Sequence, residues 1–445
     1  MGERGVELSD LDGMADRARG EMVEFLKQLI RIPTENKPPV GFEGPGQALF
    51  AQACADIGLE VETFRPDEAP GMENHPEFLN GRNFDGRVNV EAVWKGGGRG
   101  KGLLLSGHMD VVPKEPLPWT KCEPFEPLEE DGKVYGRGAC DMKSGLAAAY
   151  TAIKLLKATG WTPPGDIILE SVADEEYAGG SGTLAGRLKG YNAGFAVNME
   201  PTWLSVYSGA VGAFVVKITV RGGTAGMPYN GEDAENPVFC LAKLAQALRA
   251  FESYRRGPEF AHPFWTDPAK MAKVIITKAK SGEAFEHGQL AVPVDGWLEA
   301  VVQTYPGETG DAVCAQLERF LAAEAEKDAE LKNASVSIRR LYHYIEPCLT
   351  DAGFAGIGII KECLEGAGVA SPVVGGASAS CDLAIFEKYG GAPAVMFGPS
   401  GGNLHGPDEW VDIDSMVVVV KTLMRLMLRW EQASPNGGEQ LPRCE

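Results

Sequence analysis

The sequence predicts an α/β fold: a mainly parallel sheet flanked by helices, with an inserted α+β unit of ferredoxin-like type. Three observations carry this. Short apolar runs alternate with helix-period segments in the first and last parts of the chain, as crossover connections between parallel strands require. The middle reads strand, helix, two strands, helix, strand. The length, 445 residues, exceeds what one core organises and implies two domains.

The spacing predicts a first helix over 9–32. Met22, Phe25, Leu26, Leu29 and Ile30 form its apolar stripe, Ser9 is its candidate cap, and Pro33 stops it. Residues 65–84 are polar and rich in Pro, Asn and Gly, and read as a long loop. Buried strands are predicted over 89–93, 102–105, 166–172, 195–198 and 394–397, with helices over 144–157 and 354–365. The middle unit is predicted to hold strands over 213–220, 272–278, 296–304 and 334–341, and helices over 236–251 and 309–324. These assignments divide the chain into a catalytic domain over 1–211 and 344–435 and an insertion over 212–343. The tail, 436–445, is expected to be disordered.

Composition narrows the function. Hydrophobic residues make up 44% and charged residues 23%, as in soluble globular proteins. No apolar run reaches the ~18 residues of a membrane span. Residues 1–6 lack the basic head and apolar middle of a secretory signal, so a cytoplasmic location is expected. The cysteines number 9, with no C-x-x-C spacing, which argues against disulfides and against a cysteine zinc site. A formal charge of −20 argues against nucleic acid and anionic membranes as partners. A small-molecule substrate fits better, since a pocket's local charge is independent of the global sign.

The candidate chemistry sits where strands end. His108 follows the run Leu103–Leu105, and Asp110 lies two residues on. Alternation places both on one side, where the Asp110 carboxylate is expected to accept a proton from the second ring nitrogen of a metal-bound His108. Glu175 and Glu176 follow the strand ending at Val172, and Glu200 follows the one ending at Asn198. His405 follows the strand ending at Phe397, and Asp141 sits on a glycine-bearing turn before a helix. Open α/β sheets bind ligands beyond the carboxyl ends of their strands. Taken singly, each residue has a structural reading: a solvated acidic pair, a helix cap, a packed histidine. Together they exceed one tetrahedral shell. A shared Asp141, with one His and one Glu on each side, would hold two divalent metal ions ~3.5–4 Å apart. The doublet then divides its work: one glutamate binds metal, and the other takes the proton of the attacking water.

The sequence resembles the zinc-dependent exopeptidase and deacylase family that contains acetylornithine deacetylase, succinyl-diaminopimelate desuccinylase, aminoacylase and glutamate carboxypeptidase. The matching stretches are Gly86–Val90, Ser106–Pro113, Val134–Lys143, Asp174–Glu176, Met199–Thr202, Ser380–Asp382, Phe397–Pro399 and His405–Glu409. The resemblance implies that His108 and Glu200 ligate one metal, Glu176 and His405 the other, and that Asp141 bridges. It implies Glu175 as general base, Asp110 as the residue orienting His108, the insertion as a lid or dimerisation domain, and a homodimer. The donor set suits Zn²⁺, Mn²⁺ or Co²⁺.

Two departures stand out. Where family members usually carry a lid histidine that steadies the oxyanion, this chain has Gly226. Where they tend to carry an arginine for the substrate carboxylate, the strand has Val301 near the expected place and no arginine. Losing one oxyanion donor costs roughly 10²–10³ in rate. Tyr229, Asn230, His262 and His287 are candidate substitutes, and Trp119, Phe125 and Trp203 candidate pocket aromatics. Three functions follow: a hydrolase of an N-acyl or peptide-like C–N bond, an aminohydrolase of an aromatic or unusual amine, and a metal-binding relative without turnover. The intact Glu175 argues against the last.

Overall fold

The computed structural model describes residues 8–98, 100–114, 116–177, 180–222, 236–283, 291–341 and 344–430. The tail expected to be disordered lies outside them. The chain forms two compact units, one of Met1–Ser208, Thr350–Gly375 and Asp382–Glu445, the other of Gly209–Leu349 and Gly376–Cys381. The second unit is thus wider than the expected 212–343, and it includes the short late segment Gly376–Cys381.

In the first unit, strand Leu103–His108 runs parallel to Ile167–Val172 on one side and to Phe195–Asn198 on the other. Ala394–Met396 extends this parallel centre. The flanks differ from the expected mainly parallel sheet. Asn89–Trp94 is antiparallel to Ile167–Val172, and Glu60–Phe64 is antiparallel to Asn89–Trp94. No helix intervenes between those two consecutive strands, only two 3₁₀ turns within the 65–88 connection. Without a crossover helix, an antiparallel return is the available topology.

The central strands are buried along their whole length, which explains their unbroken apolar sequence. Leu103, Leu105, Leu169 and Val197 face a core built with helices Leu8–Ile30, Lys143–Ala158, Ala355–Gly366 and Ile413–Arg429. Alternate residues point the other way, and helix Ser181–Lys189 covers that face so closely that a Cβ on Gly186 would clash with the Glu170 carboxylate. The first helix is described from Leu8, so the backbone of Ser9, the candidate cap, lies within it.

The second unit carries a four-stranded antiparallel sheet in the order Val274–Ser281, Asp295–Thr304, Gly212–Arg221, Ser335–Arg340. This is the ferredoxin-like order. Every second residue of Gly212–Arg221 is buried from Phe214 to Val220, against Leu244, Leu248 and Phe251 of helix Pro237–Arg255 and Leu317 of helix Gly310–Ala325. No helix among the described residues is long and apolar enough to cross a membrane.

Candidate metal centre

The parallel strands deliver their ligand candidates to one edge. His108 is the last residue of its strand. Past the strand ends, Met109 N–H still donates to the Val172 carbonyl at 2.9 Å, and Met199 N–H to the Ser106 carbonyl at 2.8 Å. These bonds hold Asp174–Glu176 and Glu200 beside His108. His108 Nε2 lies 3.2 Å from Asp141 Oδ1, 3.6 Å from Glu200 and 3.8 Å from Glu175.

Asp141 and His405 reach the same place by another route. A small sheet pairs Trp410–Asp412 with Lys133–Tyr135, setting the 136–141 loop beside the 403–409 loop. Gly136 N–H donates to the Glu409 carbonyl at 2.9 Å. His405 occupies a left-handed backbone conformation, φ 60°, and its side chain is 53% exposed. Its Nε2 lies 3.2 Å from Asp141 Oδ2 and 2.9 Å from Glu176. The two oxygens of Asp141 therefore face one imidazole each.

All seven residues named as catalytic or ligating converge. Asp110, however, acts differently from the expectation. The His108 Nδ1 proton goes to the Asp110 backbone carbonyl, 2.8 Å away, while the nearest carboxylate oxygen stands at 3.7 Å. The Asp110 carboxylate instead accepts the backbone N–H groups of Glu175 and Glu176, at 3.2 and 3.0 Å, and the Asn36 amide at 2.8 Å. The strand ends at His108, and beyond it the Asp110 carbonyl faces the ring while its carboxylate faces the neighbouring turn.

Glu409 escaped the sequence reading. Its buried carboxylate accepts from Arg137 Nη1 at 2.8 Å and from the backbone N–H groups of Gly138, Cys140 and Asp141 at 3.0, 2.9 and 3.0 Å. Within this loop Gly138 has φ 81°, a conformation that favours glycine. The loop's far end is fixed by Lys143, whose buried ammonium donates to the carbonyls of Leu29 and Ile32 at 2.9 and 3.0 Å.

Electrostatics mark the cluster as a cation site. Burial opposes a charge on His405, but Glu176 and Asp141 outweigh it and raise the imidazole to about 11. His108 is raised as well: burial disfavours its charge, while Glu200 and Asp141 favour it more strongly. Burial would raise Asp141, yet hydrogen bonds from both imidazoles bring it below the usual carboxylate range. Burial, with repulsion from neighbouring carboxylates, raises Glu175 and Glu200 well above that range. Donor atoms of His108, Glu175 and Glu200 lie within 4.8 Å of one another, as do those of His108, Asp141 and Glu176. Neutral imidazoles with carboxylates crowded this closely fit divalent cations by donor chemistry.

Gly226, Tyr229, Asn230 and His287 lie outside the described residues. His262 belongs to an aromatic cluster of the second unit, 4.6 Å from Trp265 between ring centroids, and its Nδ1 accepts from Phe264 N–H. Val301 pairs with Val215 and Ile275 in mid-sheet. Trp119 stacks over the Arg137 guanidinium, and Phe125 is half-buried. Trp203 is 51% exposed, with its indole N–H bonded to the Gly401 carbonyl at 2.9 Å.

The chain is similar to known proteins. The model of peptidase family M20/M25/M40 matches residues 104–429. An N-formyl-4-amino-5-aminomethyl-2-methylpyrimidine deformylase of Bacillus subtilis (strain 168) is 24% identical over 95% of this chain and 98% of its own length. A succinyl-diaminopimelate desuccinylase of Bordetella pertussis (strain Tohama I) is 27% identical over 92% and 98%. Among solved structures, the dipeptidase Dug1p of Saccharomyces cerevisiae shares the fold, with a TM-score of 0.76 at 14% identity, covering 96% of this chain and 99% of that one. The chain belongs to peptidase family M20/M25/M40, a family of metal-dependent hydrolases that act on C–N bonds.

Proposed function

We propose that this hydrolase removes an acyl group from the nitrogen of a small molecule, an N-acyl amino acid or a peptide-like amide. Relatives named as a deformylase and a desuccinylase support an N-acyl substrate. The single observation that carries the reading is the sharing of Asp141, one carboxylate oxygen toward His108 and the other toward His405. His108 and Glu200 would hold one divalent cation and Glu176 and His405 a second, with Asp141 common to both. When bound, such a pair acidifies water and stabilises negative charge on the attacked acyl group.

The chain's own residues do the rest. Glu175 stands 3.8 Å from His108 Nε2, beside the ligands, and is assigned none of the cation contacts. Its half-buried carboxylate, raised by desolvation, takes the proton of the attacking water and returns it to the leaving nitrogen. The backbone of Asp110 holds His108 in the tautomer that leaves Nε2 unprotonated for a ligand.

The nitrogen and oxygen donors suit Zn²⁺, Mn²⁺ or Co²⁺. A cytoplasmic location is favoured by the described cysteines, all of them free thiols, and fractionation of cells would overturn it by finding the protein elsewhere. A homodimer is favoured by the second unit. Strand Val274–Ser281 ends the sheet there, and Ile275 and Ile276 are 44% and 38% exposed, an unpartnered apolar edge of the kind that pairs with another chain. A monomeric mass by light scattering would refute this.

The test of function is a product screen. The metal-loaded protein is offered N-acyl amino acids, dipeptides and aromatic amines, and free amine plus carboxylate is expected. Glu175→Ala should abolish turnover and keep its metal; near-normal kcat in that variant would refute the assigned base.

A further inference from the structure

One charged side chain that touches none of the ligand candidates grips the catalytic turn from both ends. Arg82 belongs to the polar 65–84 segment, yet its side chain is only 3% exposed. Its Nε donates to both carboxylate oxygens of Asp174, at 3.0 and 3.1 Å. One terminal nitrogen donates to the same carboxylate and to the Asn36 side-chain oxygen. The guanidinium also lies over the Tyr177 ring, 5.3 Å from its centroid. Asp174 immediately precedes Glu175, and Tyr177 immediately follows Glu176.

The connections continue inward. The Asn36 amide donates to Asp110 at 2.8 Å and to Asp174 at 3.1 Å. Asp110 in turn holds the N–H groups of Glu175 and Glu176. Asp174 itself is in the left-handed region, φ 68°, uncommon for a residue other than glycine. Such a conformation persists where its surroundings over-determine it.

Arg87 donates to Asp174 at 2.8 Å and to Glu43 at 2.8 Å, so one guanidinium serves two buried carboxylates and Arg82 supplies the second positive charge. Arg87 reaches Asp174 alone of the two ends of the turn. What Arg82 adds beyond charge is geometry, because it joins the residue before the glutamate pair to the residue after it.

We propose that Arg82 is a positioning residue for Glu175. It fixes the 174–177 turn so that one glutamate points to the metal ligands and the other stays beside them as base. The 65–84 segment is thereby a working part of the active site. This inference rests on Glu175 being the base.

The experiment uses the full chain with Arg82→Ala and Arg82→Lys. In the metal-loaded enzyme, Arg82→Ala should lose about 10²-fold in kcat, the scale of a 1 Å misplacement, with KM and metal content unchanged. Arg82→Lys should recover part of the loss. Added ethylguanidinium should raise kcat of Arg82→Ala and leave the parent enzyme unaffected. In the metal-free protein, hydrogen exchange of the 173–177 amides should quicken in Arg82→Ala, while exchange in the strands Leu103–His108 and Phe195–Asn198 stays as it was. An Arg82→Ala enzyme within about twofold of the parent kcat, or one that is slow without faster local exchange and without rescue, overturns the proposal. Should Arg82→Ala not fold, Arg82→Lys and Arg82→Gln carry the same readings. The base assignment fails separately, through turnover by Glu175→Ala, while the exchange measurement reports on the clamp in either case.

Discussion

Replacing Glu409 with glutamine tests the centre at its most heavily bonded point. The carboxylate is 1% exposed and accepts four hydrogen bonds, three of them from the backbone of the loop that carries Asp141. A carboxamide of the same shape keeps one oxygen. Its NH₂ then faces two donors, so two N–H groups lose their acceptor. The buried Arg137 guanidinium, also 1% exposed, loses the negative charge of that carboxylate. An unsatisfied buried donor costs about 1–3 kcal/mol, and breaking a buried ion pair on one side costs about 3–5 kcal/mol. These overlap, so the larger figure is the working estimate. It corresponds to a fall of roughly 5–8 °C in the thermal transition of the unit that holds it. Calorimetry of the metal-free protein reads the stability, and elemental analysis after dialysis against limiting Zn²⁺ reads the site. Glu409→Gln should lose both stability and metal, since the Asp141 N–H is among the bonds broken. A variant that melts within about 1 °C of the parent and keeps full metal would show that the clamp does nothing.

Two further outcomes follow from the imidazoles. Removing His405 should lower bound metal by about one equivalent per chain, because one of two shells loses a ligand; unchanged stoichiometry by elemental analysis contradicts its ligand role. In the metal-free protein, the folded-state pKa of His405, about 11, lies above its unfolded value. Its contribution to stability is therefore complete below about pH 6.5 and is lost as pH rises toward 11. A metal must displace that proton, so adding Zn²⁺ near pH 7.5 should release protons. Calorimetric titration in buffers of different ionisation enthalpy measures the release, and heats independent of the buffer would exclude charged imidazoles in the free site.

The sequence made half of this centre legible, and physics explains the division. His108, Glu175, Glu176 and Glu200 follow long apolar runs, and burial on both faces of a parallel sheet leaves that mark in the sequence. The convergence of Asp141 with His405 leaves none. It depends on strands Gly401–Gly402, Trp410–Asp412 and Lys133–Tyr135, each too short for any period to register, so the sequence joined the two residues only through the number of ligands and the need for a shared one. Glu409 carries no periodic signal either, since its worth lies in which backbone N–H groups surround it. The misreading of Asp110 has a similar source. Alternation places a side chain on a face only while the strand lasts, and the strand ends at His108. The Glu60–Phe64 strand went unread because its outward residues are exposed and only Phe64 is buried.

The acidic residues of the site fall into two groups with opposite requirements, and this division is what makes the centre depend on cations. Asp110, Asp174 and Glu409 bind no cation in the proposed scheme. Each is buried and satisfied, by backbone N–H groups, by arginines or by Asn36, and each fixes a loop that carries a ligand or the base. Their bonds are complete without metal, so the loops are held before any ion arrives. Glu175, Glu176 and Glu200 are the reverse. Burial and mutual repulsion raise all three, and the charges that oppose this come from His108 and His405. Those imidazoles must give up their protons to serve as ligands. The positive charge that then balances the carboxylates has to come from the cations themselves. A framework already satisfied, carrying ligands that are not, selects for occupancy without needing to refold around it. It follows that stripping the metals should leave the strand edge and the Glu409 clamp in place and disturb the ligand side chains alone.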